Sequence, residues 1–124
     1  TNTGQYVYHG TDSASAKSLV KEGPNFYKME KAAGGVPDEK GLSFSSSYET
    51  ALKFAEGKTM LRNVEGGTNL TPTVVRIKVG NAPLVGAAEA KGIIGIDLDE
   101  YFIPRGNLKT VKPGTIEYHS PGNP

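Results

Sequence analysis

The sequence contains no cysteine, and this absence excludes several kinds of chemistry. Without a thiol there is no disulfide, no thiolate nucleophile and no cysteine zinc site. The two histidines, His9 and His119, are too far apart in sequence for the spacing of a zinc motif. No apolar run approaches the roughly 18 residues of a membrane-spanning helix, and the first residues carry no signal-peptide pattern. We therefore expect neither a bound metal nor a membrane partner.

An excess of charge of one sign is also missing. Lysine and arginine number 14, aspartate and glutamate 13, and the net charge is +1. This balance argues against a strongly basic nucleic-acid clamp. The 124 residues suit a single domain, residues 1–124, and exclude an enzyme built from two catalytic domains. Glycine is abundant instead, with 16 residues beside 8 prolines, which predicts many turns and short elements.

Hydrophobic patterning predicts two helices near the start of the chain, followed mainly by strands. The first helix should begin at Asp12 or Ser13 and end at Gly23; the second should begin with a capping box at residues 46–49 and end near Gly57. The residues predicted to be extended are 5–9 (with a break at 10–12), 41–45, 73–79, 100–104, 108–111 and 115–119. Together these elements indicate an α+β fold with largely antiparallel strands.

Several familiar sites are missing or weakly indicated. The chain has no G-x-G-x-x-G dinucleotide motif, no P-loop and no G-x-S-x-G nucleophile turn. The carboxylates of Asp97, Asp99 and Glu100 could hold a divalent cation, but they match no EF-hand spacing, and a solvated loop is the commoner outcome.

Residues 8–11, Tyr-His-Gly-Thr, have a more specific chemical character. They place the His9 imidazole at the end of a predicted strand, next to a glycine whose bare backbone lets a ligand approach closely. On this chemistry alone a structural histidine is still the commoner outcome. The order of the segments that follow makes a binding role the stronger interpretation.

That order resembles the diphtheria-toxin-like ADP-ribosyltransferases and, more distantly, the poly(ADP-ribose) polymerases. The resemblance is carried by YHGTDSASAKSLVKEG (8–23), GLSFSSSYETALKFAEG (41–57) and TVVRIKV (73–79), and by Glu100-Tyr101, which resembles the family's strand-borne catalytic glutamate. It implies an ADP-ribosyltransferase-like α+β fold. In such a fold two small, mainly antiparallel β-sheets pack against each other, with two or so short helices near the N-terminus.

The resemblance also implies NAD as a substrate and no metal cofactor. His9 would then hold the ribose next to the nicotinamide, the Gly10 backbone would bind the carboxamide, and Thr11 would lie near the adenosine side. Phe54 stands where the family has a ring that stacks on nicotinamide. Ser43 stands where the family usually has a second stacking tyrosine.

Because position 43 is a serine, only one of the two aromatic rings that would stack on the nicotinamide is assigned. Ser43 and Phe44 are both candidate contacts to NAD, although alternation along a strand predicts that the Phe44 ring points to the opposite face. Tyr27 or Tyr48 could supply the second ring from elsewhere in the chain.

These residue types suit cleavage of the nicotinamide–ribose bond. The reaction develops positive charge on the ribose, as glycoside cleavage does, and the Glu100 carboxylate would stabilise that charge. Nicotinamide leaves as a neutral molecule from a cationic ring, so it needs no general acid. An aromatic face can hold the ring by stacking and cation–π attraction, worth about 0.5–2 kcal/mol. Glu117 is the alternative acid.

The acceptor of ADP-ribose is the most open question, since either a protein or a nucleic acid would fit the resemblance. Many members of this superfamily place Gln or Glu two residues before the catalytic glutamate to orient the acceptor, and this position is Leu98 here. An NAD glycohydrolase, with water as acceptor, and a non-catalytic module that binds NAD or ADP-ribose remain alternatives. A basic face toward RNA or DNA could be formed by Arg62, Arg76, Lys78, Arg105 and Lys109, although a solvated sheet face is commoner.

The resemblance to toxin domains leads to an expectation about location. A short chain that starts without methionine fits the C-terminal domain of a larger bacterial protein, secreted or delivered into a target cell. A cognate immunity protein would then be a further partner.

Overall fold

The structure is a computed structural model, and it describes residues 6–24, 41–80, 84–86 and 100–119. It contains two α-helices, α1 (Ser13–Glu22) and α2 (Tyr48–Gly66), and a 3₁₀ helix at Arg105–Thr110. The strands are β1 (Tyr6–Asp12), β2 (Gly41–Ser45), β3 (Pro72–Lys78), β4 (Val85–Gly86), β5 (Glu100–Pro104) and β6 (Glu117–Tyr118). The predicted α+β class is confirmed.

The strands form one antiparallel sheet in the order β4-β5-β2-β1-β3-β6. The prediction of two packed sheets is therefore wrong for the described residues. The pairing is nevertheless uneven. Strands β1 and β3 pair along seven residues and β2 and β5 along five, whereas β1 and β2 are joined through the single pair of Tyr8 and Ser45. That pair holds two well-formed ladders together in one sheet.

Helix α1 begins and ends where the sequence predicts. The Asp12 carboxylate accepts a hydrogen bond from the Ser15 backbone N–H at 2.8 Å and caps the helix. Gly23 ends it with a φ of 79°, a conformation that glycine adopts without strain. The predicted break at residues 10–12 is wrong, because β1 stays extended and paired with β3 as far as Asp12.

Helix α2 is longer than the sequence predicts. Ser47 caps it by accepting from the Thr50 backbone N–H at 3.3 Å, and the helix continues past Gly57 to Gly66. A glycine inside a helix costs only about 1 kcal/mol relative to alanine. Burial of Ala51 and other residues of the sheet-facing side outweighs that cost. The predicted end near Gly57 is therefore wrong.

The C-terminal part departs from prediction in two elements. Residues 108–111, predicted to be a strand, belong instead to the 3₁₀ helix and its end, and Leu108 and Val111 are buried there. Glycine at position 106 favours a turn at this point over continued pairing. The predicted strand at 115–119 is present only as the two residues of β6.

The predicted loop at 25–40 and the carboxylates of Asp97 and Asp99 lie outside the described residues.

Apolar side chains pack on both faces of the sheet. The larger core contains residues of α1, the sheet and the 3₁₀ helix: Val7, Ala16, Leu19, Leu42, Phe44, Val75, Ile77, Val79, Ile103, Leu108, Val111 and Ile116. On the other face, α2 packs through Ala51 and Ala55 against Val74, with Tyr8, Tyr48 and Leu52 at the margin. In the part of the chain described here, no helix is both long enough and apolar enough to cross a membrane.

Candidate functional site

One row of paired residues crosses five strands of the sheet. In strand order it consists of Glu100, Ser45, Tyr8, Arg76 and Glu117. Neighbouring strands lie about 4.8 Å apart, so the backbones of Glu100 and Glu117 are each about 10 Å from Tyr8. The two acids considered for catalysis therefore occupy opposite ends of the same row.

At one end of the row, Glu117 has a structural partner. The Arg76 Nε donates a hydrogen bond to the Glu117 Oε1 at 2.9 Å, and the Arg76 side chain is buried. The same guanidinium lies 4.1 Å from the centre of the Tyr6 ring, a cation–π contact. A carboxylate needed to compensate a buried arginine is a poor candidate for catalysis, so the structure disfavours Glu117.

Besides the backbone pair of Tyr8 and Ser45, a hydrogen bond from the His9 side chain also connects β1 to β2. The His9 Nδ1 donates a hydrogen bond to the Ser43 backbone carbonyl at 2.7 Å. A carbonyl oxygen only accepts, so this contact assigns the proton to Nδ1 and leaves Nε2 with a free lone pair in the neutral ring. Ser43 thus meets His9 through its backbone.

The surroundings of His9 keep its ring neutral. Burial, and then the positive charge of Lys58, lower the pKa of His9 to about 4; the Ser43 carbonyl and the Asp12 carboxylate act in the opposite direction. At neutral pH the imidazole is therefore an oriented hydrogen-bond acceptor at Nε2, with little capacity to act as a base.

Phe44 and Thr11 lie deeper than a ligand contact requires. Phe44 belongs to the apolar core, and its ring centre is 5.8 Å from that of His9, so it supports the imidazole from the core side. The Thr11 side chain is completely buried, and its Oγ1 has no hydrogen-bond partner within the described residues. A direct contact of either side chain with NAD would need neighbouring groups to move.

Gly10 has a packing role that the sequence did not indicate. A Cβ at this position would lie 1.7 Å from the Ala51 carbonyl oxygen and 2.8 Å from the Ala55 nitrogen. Glycine at position 10 therefore lets α2 cross directly over β1. The predicted contact between the Gly10 backbone and the carboxamide stays a prediction.

One flank of α2 brings two further side chains to the site. Phe54 is 64 % exposed, and Lys58, four residues later on the same helix face, is half-buried. The effect of Lys58 on the pKa of His9 places its charge near the imidazole. Lys58 is not among the residues predicted from the sequence, although its four-residue spacing from Phe54 is the signal that places both on one helix face.

A buried ion pair lies next to this flank. The Asp12 carboxylate is fully buried and accepts hydrogen bonds from the Arg62 Nη1 at 2.7 Å and the Ser15 Oγ at 2.9 Å. Burial opposes ionisation of Asp12, but the hydrogen bonds from Ser15 and Arg62 outweigh it and lower the pKa of the carboxyl. Asp12 thus links the start of α1 to α2.

Two of the arginines considered for a basic face have partners within the protein. Arg62 is paired with Asp12, and Arg76 is buried beneath Tyr6. Lys78 and Lys109 are exposed on separate elements. A basic face toward nucleic acid stays a prediction, beside the commoner alternative of a solvated sheet face.

Tyr48, a candidate for the second ring, packs in an aromatic cluster. Its ring centre is 5.9 Å from that of Tyr8 and 4.4 Å from that of His119. By helix periodicity this tyrosine and Phe54 lie on different sides of α2, so the structure does not bring the two rings together. Tyr27 and Leu98 lie outside the described residues.

Comparisons with known proteins identify no relative. No protein-family model matches the chain, and no curated protein or solved structure matches it. Among the residues described, no group of three or more histidine, aspartate or glutamate side chains could hold a metal ion. What the described residues offer is a fixed neutral imidazole on β1 together with an exposed ring and a half-buried lysine on α2. Strand β5, which carries Glu100, is separated from β1 by β2.

Proposed function

We propose that the protein is an ADP-ribosyltransferase that cleaves the nicotinamide–ribose bond of NAD and transfers ADP-ribose to a macromolecular acceptor. The observation that supports this proposal is the order β5-β2-β1 within the sheet. It puts His9 and Glu100, which the sequence resemblance makes the two catalytic residues, on strands separated only by β2. An ADP-ribosyltransferase-like fold, here with its strands in one sheet, is part of the same proposal.

The strand register sets the backbone distance between the two residues. Glu100 is the pairing partner of Ser45, Ser45 is that of Tyr8, and His9 follows Tyr8 directly. Two strand spacings amount to about 10 Å between the backbones of β1 and β5, which is the distance that a bound ribose would have to bridge.

Each side chain then has a separate task. The His9 Nε2 accepts a hydrogen bond from a ribose hydroxyl, and the bond from Nδ1 to the Ser43 carbonyl prevents the ring from turning. The Glu100 carboxylate stabilises the positive charge that develops on the ribose as nicotinamide leaves. The Phe54 ring stacks on the nicotinamide, which departs without needing a proton.

The test uses NAD labelled in its adenylate part, together with a lysate, purified RNA and DNA as acceptors. We expect label on one class of macromolecule, nicotinamide release, and loss of both in Glu100→Gln. Glu56→Gln, which changes an exposed carboxylate on α2, is the matched control and should behave as the unchanged protein.

Three results would overturn the proposal in different ways. Release of free ADP-ribose without any labelled macromolecule would indicate an NAD glycohydrolase. Tight binding of NAD with no nicotinamide release would indicate a binding module. Undiminished transfer by Glu100→Gln would show that the reaction uses another acid.

A further inference from the structure

Lys58 differs from the other lysines of the described residues, because it alone is not exposed. Lysine normally keeps its ammonium group in water, and burial is tolerated when an anion compensates the charge. Within the described residues, no hydrogen bond or salt bridge to Lys58 is present. The half-buried Lys58 therefore has no hydrogen-bonded anion in this part of the chain.

The carboxylate that raises the pKa of Lys58 already has its partners. Asp12 accepts a hydrogen bond from Arg62 at 2.7 Å and two more from Ser15. Because His9 is neutral, the charges of Lys58, Arg62 and Asp12 leave this corner of the site with one net positive charge. Burial lowers the pKa of Lys58 and so does Arg62, while Asp12 raises it. A bound anion would stabilise the ammonium form.

The position of Lys58 relates it to a particular part of a dinucleotide. Helix α2 touches Gly10 through Ala51 and reaches Asp12 through Arg62, so Lys58 lies on the stretch of helix beside the end of β1. One turn of helix, about 6 Å, separates it from Phe54. In NAD a single ribose separates the nicotinamide from the pyrophosphate.

We propose that Lys58 is the pyrophosphate-binding residue of this site, its ammonium group donating charge-assisted hydrogen bonds to the phosphate oxygens. The proposal rests on the proposed function, because it takes Phe54 as the nicotinamide end of the same ligand. The ammonium group of lysine serves this purpose as a point charge on a flexible stem, which suits the tetrahedral oxygens of a phosphate.

The experiment measures binding by calorimetry to three probes: ADP-ribose, ADP and nicotinamide. Lys58→Met keeps the apolar stem and removes the charge, and Lys53→Met removes an exposed charge from the same helix as a control. Loss of a charged hydrogen bond should weaken ADP-ribose and ADP by about 10- to 100-fold. Nicotinamide, which has no phosphate, should bind unchanged, and Lys58→Arg should restore part of the affinity. Thermal unfolding checks that each variant is folded.

The binding readout separates this proposal from the proposed function. If ADP-ribose binds in a manner that depends on Lys58 but NAD is not cleaved, the proposed function fails and the anion site stands. If NAD is cleaved while Lys58→Met binds ADP-ribose and ADP as the unchanged protein does, the anion site alone is overturned. Equal weakening by Lys53→Met would also overturn it, since a general charge effect would then explain the result.

Discussion

Glu100 and Glu117 stand at the two ends of one row of paired residues across the sheet, each two strands away from Tyr8. The two acids are therefore equally distant from the middle of the sheet, and distance does not distinguish them. The two acids differ instead in the side of β1 on which they lie. Glu100 lies on the side of β2 and the His9–Ser43 contact, whereas Glu117 lies on the side of β3 and is bound by Arg76.

We expect replacement of each acid by glutamine to affect a different property: the rate of NAD cleavage for Glu100, and the stability of the fold for Glu117. Glu100→Gln should lower NAD cleavage by about 100-fold or more, because the carboxylate charge is lost from the transition state. Glu117→Gln should keep activity within about 3-fold but lower the free energy of unfolding by about 1 kcal/mol, since its partner Arg76 is buried while Glu117 itself is half-buried. Single-turnover kinetics and urea denaturation of both variants measure the two effects. Loss of cleavage in Glu117→Gln alone would reverse the assignment.

The neutral state of His9 predicts a pH-dependent stability. Its pKa is about 4 in the folded chain and 6.5 as the ordinary value, so the unfolded chain binds the proton more tightly. The contribution to stability is complete above pH 6.5 and is lost as the pH falls toward 4; its upper limit is about 3 kcal/mol. Denaturation at a series of pH values measures this slope.

A matched variant isolates the part of the slope that belongs to His9. His9→Asn keeps a donor near the Nδ1 position and removes the titration, so the slope between pH 6.5 and 4 should become shallower. Burial and then Arg76 also lower the pKa of His119, so some slope should remain. Asp12 acts in a separate window, because its pKa is already lowered from 3.8 and its contribution is lost only in stronger acid. An unchanged slope in His9→Asn would show that folding does not lower the pKa of His9.

Two glycine-to-alanine changes should alter stability with opposite signs. Gly10→Ala would place a Cβ 1.7 Å from the Ala51 carbonyl oxygen, so α2 must move off the sheet, at a cost of at least about 3 kcal/mol. Gly57→Ala meets no atom within 4 Å inside a helix and should stabilise the chain by about 0.5–1 kcal/mol. Melting temperatures of both variants check the pair. A tolerated Gly10→Ala would mean that α2 does not rest on β1.

Phe54 should affect the handling of NAD without affecting the fold. Its ring is 64 % exposed, so Phe54→Ala should leave the melting temperature unchanged. Loss of stacking worth about 0.5–2 kcal/mol should raise KM for NAD by about 2- to 30-fold. Phe54→Tyr keeps an aromatic ring, so its KM for NAD should equal that of the unchanged protein. Leu61→Ala truncates a side chain on the same flank that is 57 % exposed, and serves as the control. Equal effects of Phe54→Ala and Leu61→Ala would argue against a specific stacking role.

Local patterns predicted the elements whose signals are local. The cap and the terminal glycine of α1 depend on residues within a few positions of each other, and the structure has both where the sequence places them. The end of α2 was not predicted correctly, because the penalty for Gly57 is local whereas the burial that outweighs it is tertiary. Arg76 alternates with valine and isoleucine along β3, a pattern that predicts a solvent-exposed side chain. The Arg76 side chain is nevertheless buried, because it stacks on the Tyr6 ring and donates a hydrogen bond to Glu117.

The sequence by itself determined the kind of chemistry that is available: no thiol, two histidines, balanced charge, and an ordered set of segments around His9 and Glu100. Only the tertiary structure decided which of these residues stand together. Strand order put Glu100 next to β2 and paired Glu117 with Arg76, and the crossing of α2 over Gly10 brought Lys58 toward His9. These relationships join residues far apart in sequence, so they depend on packing that no short-range pattern contains.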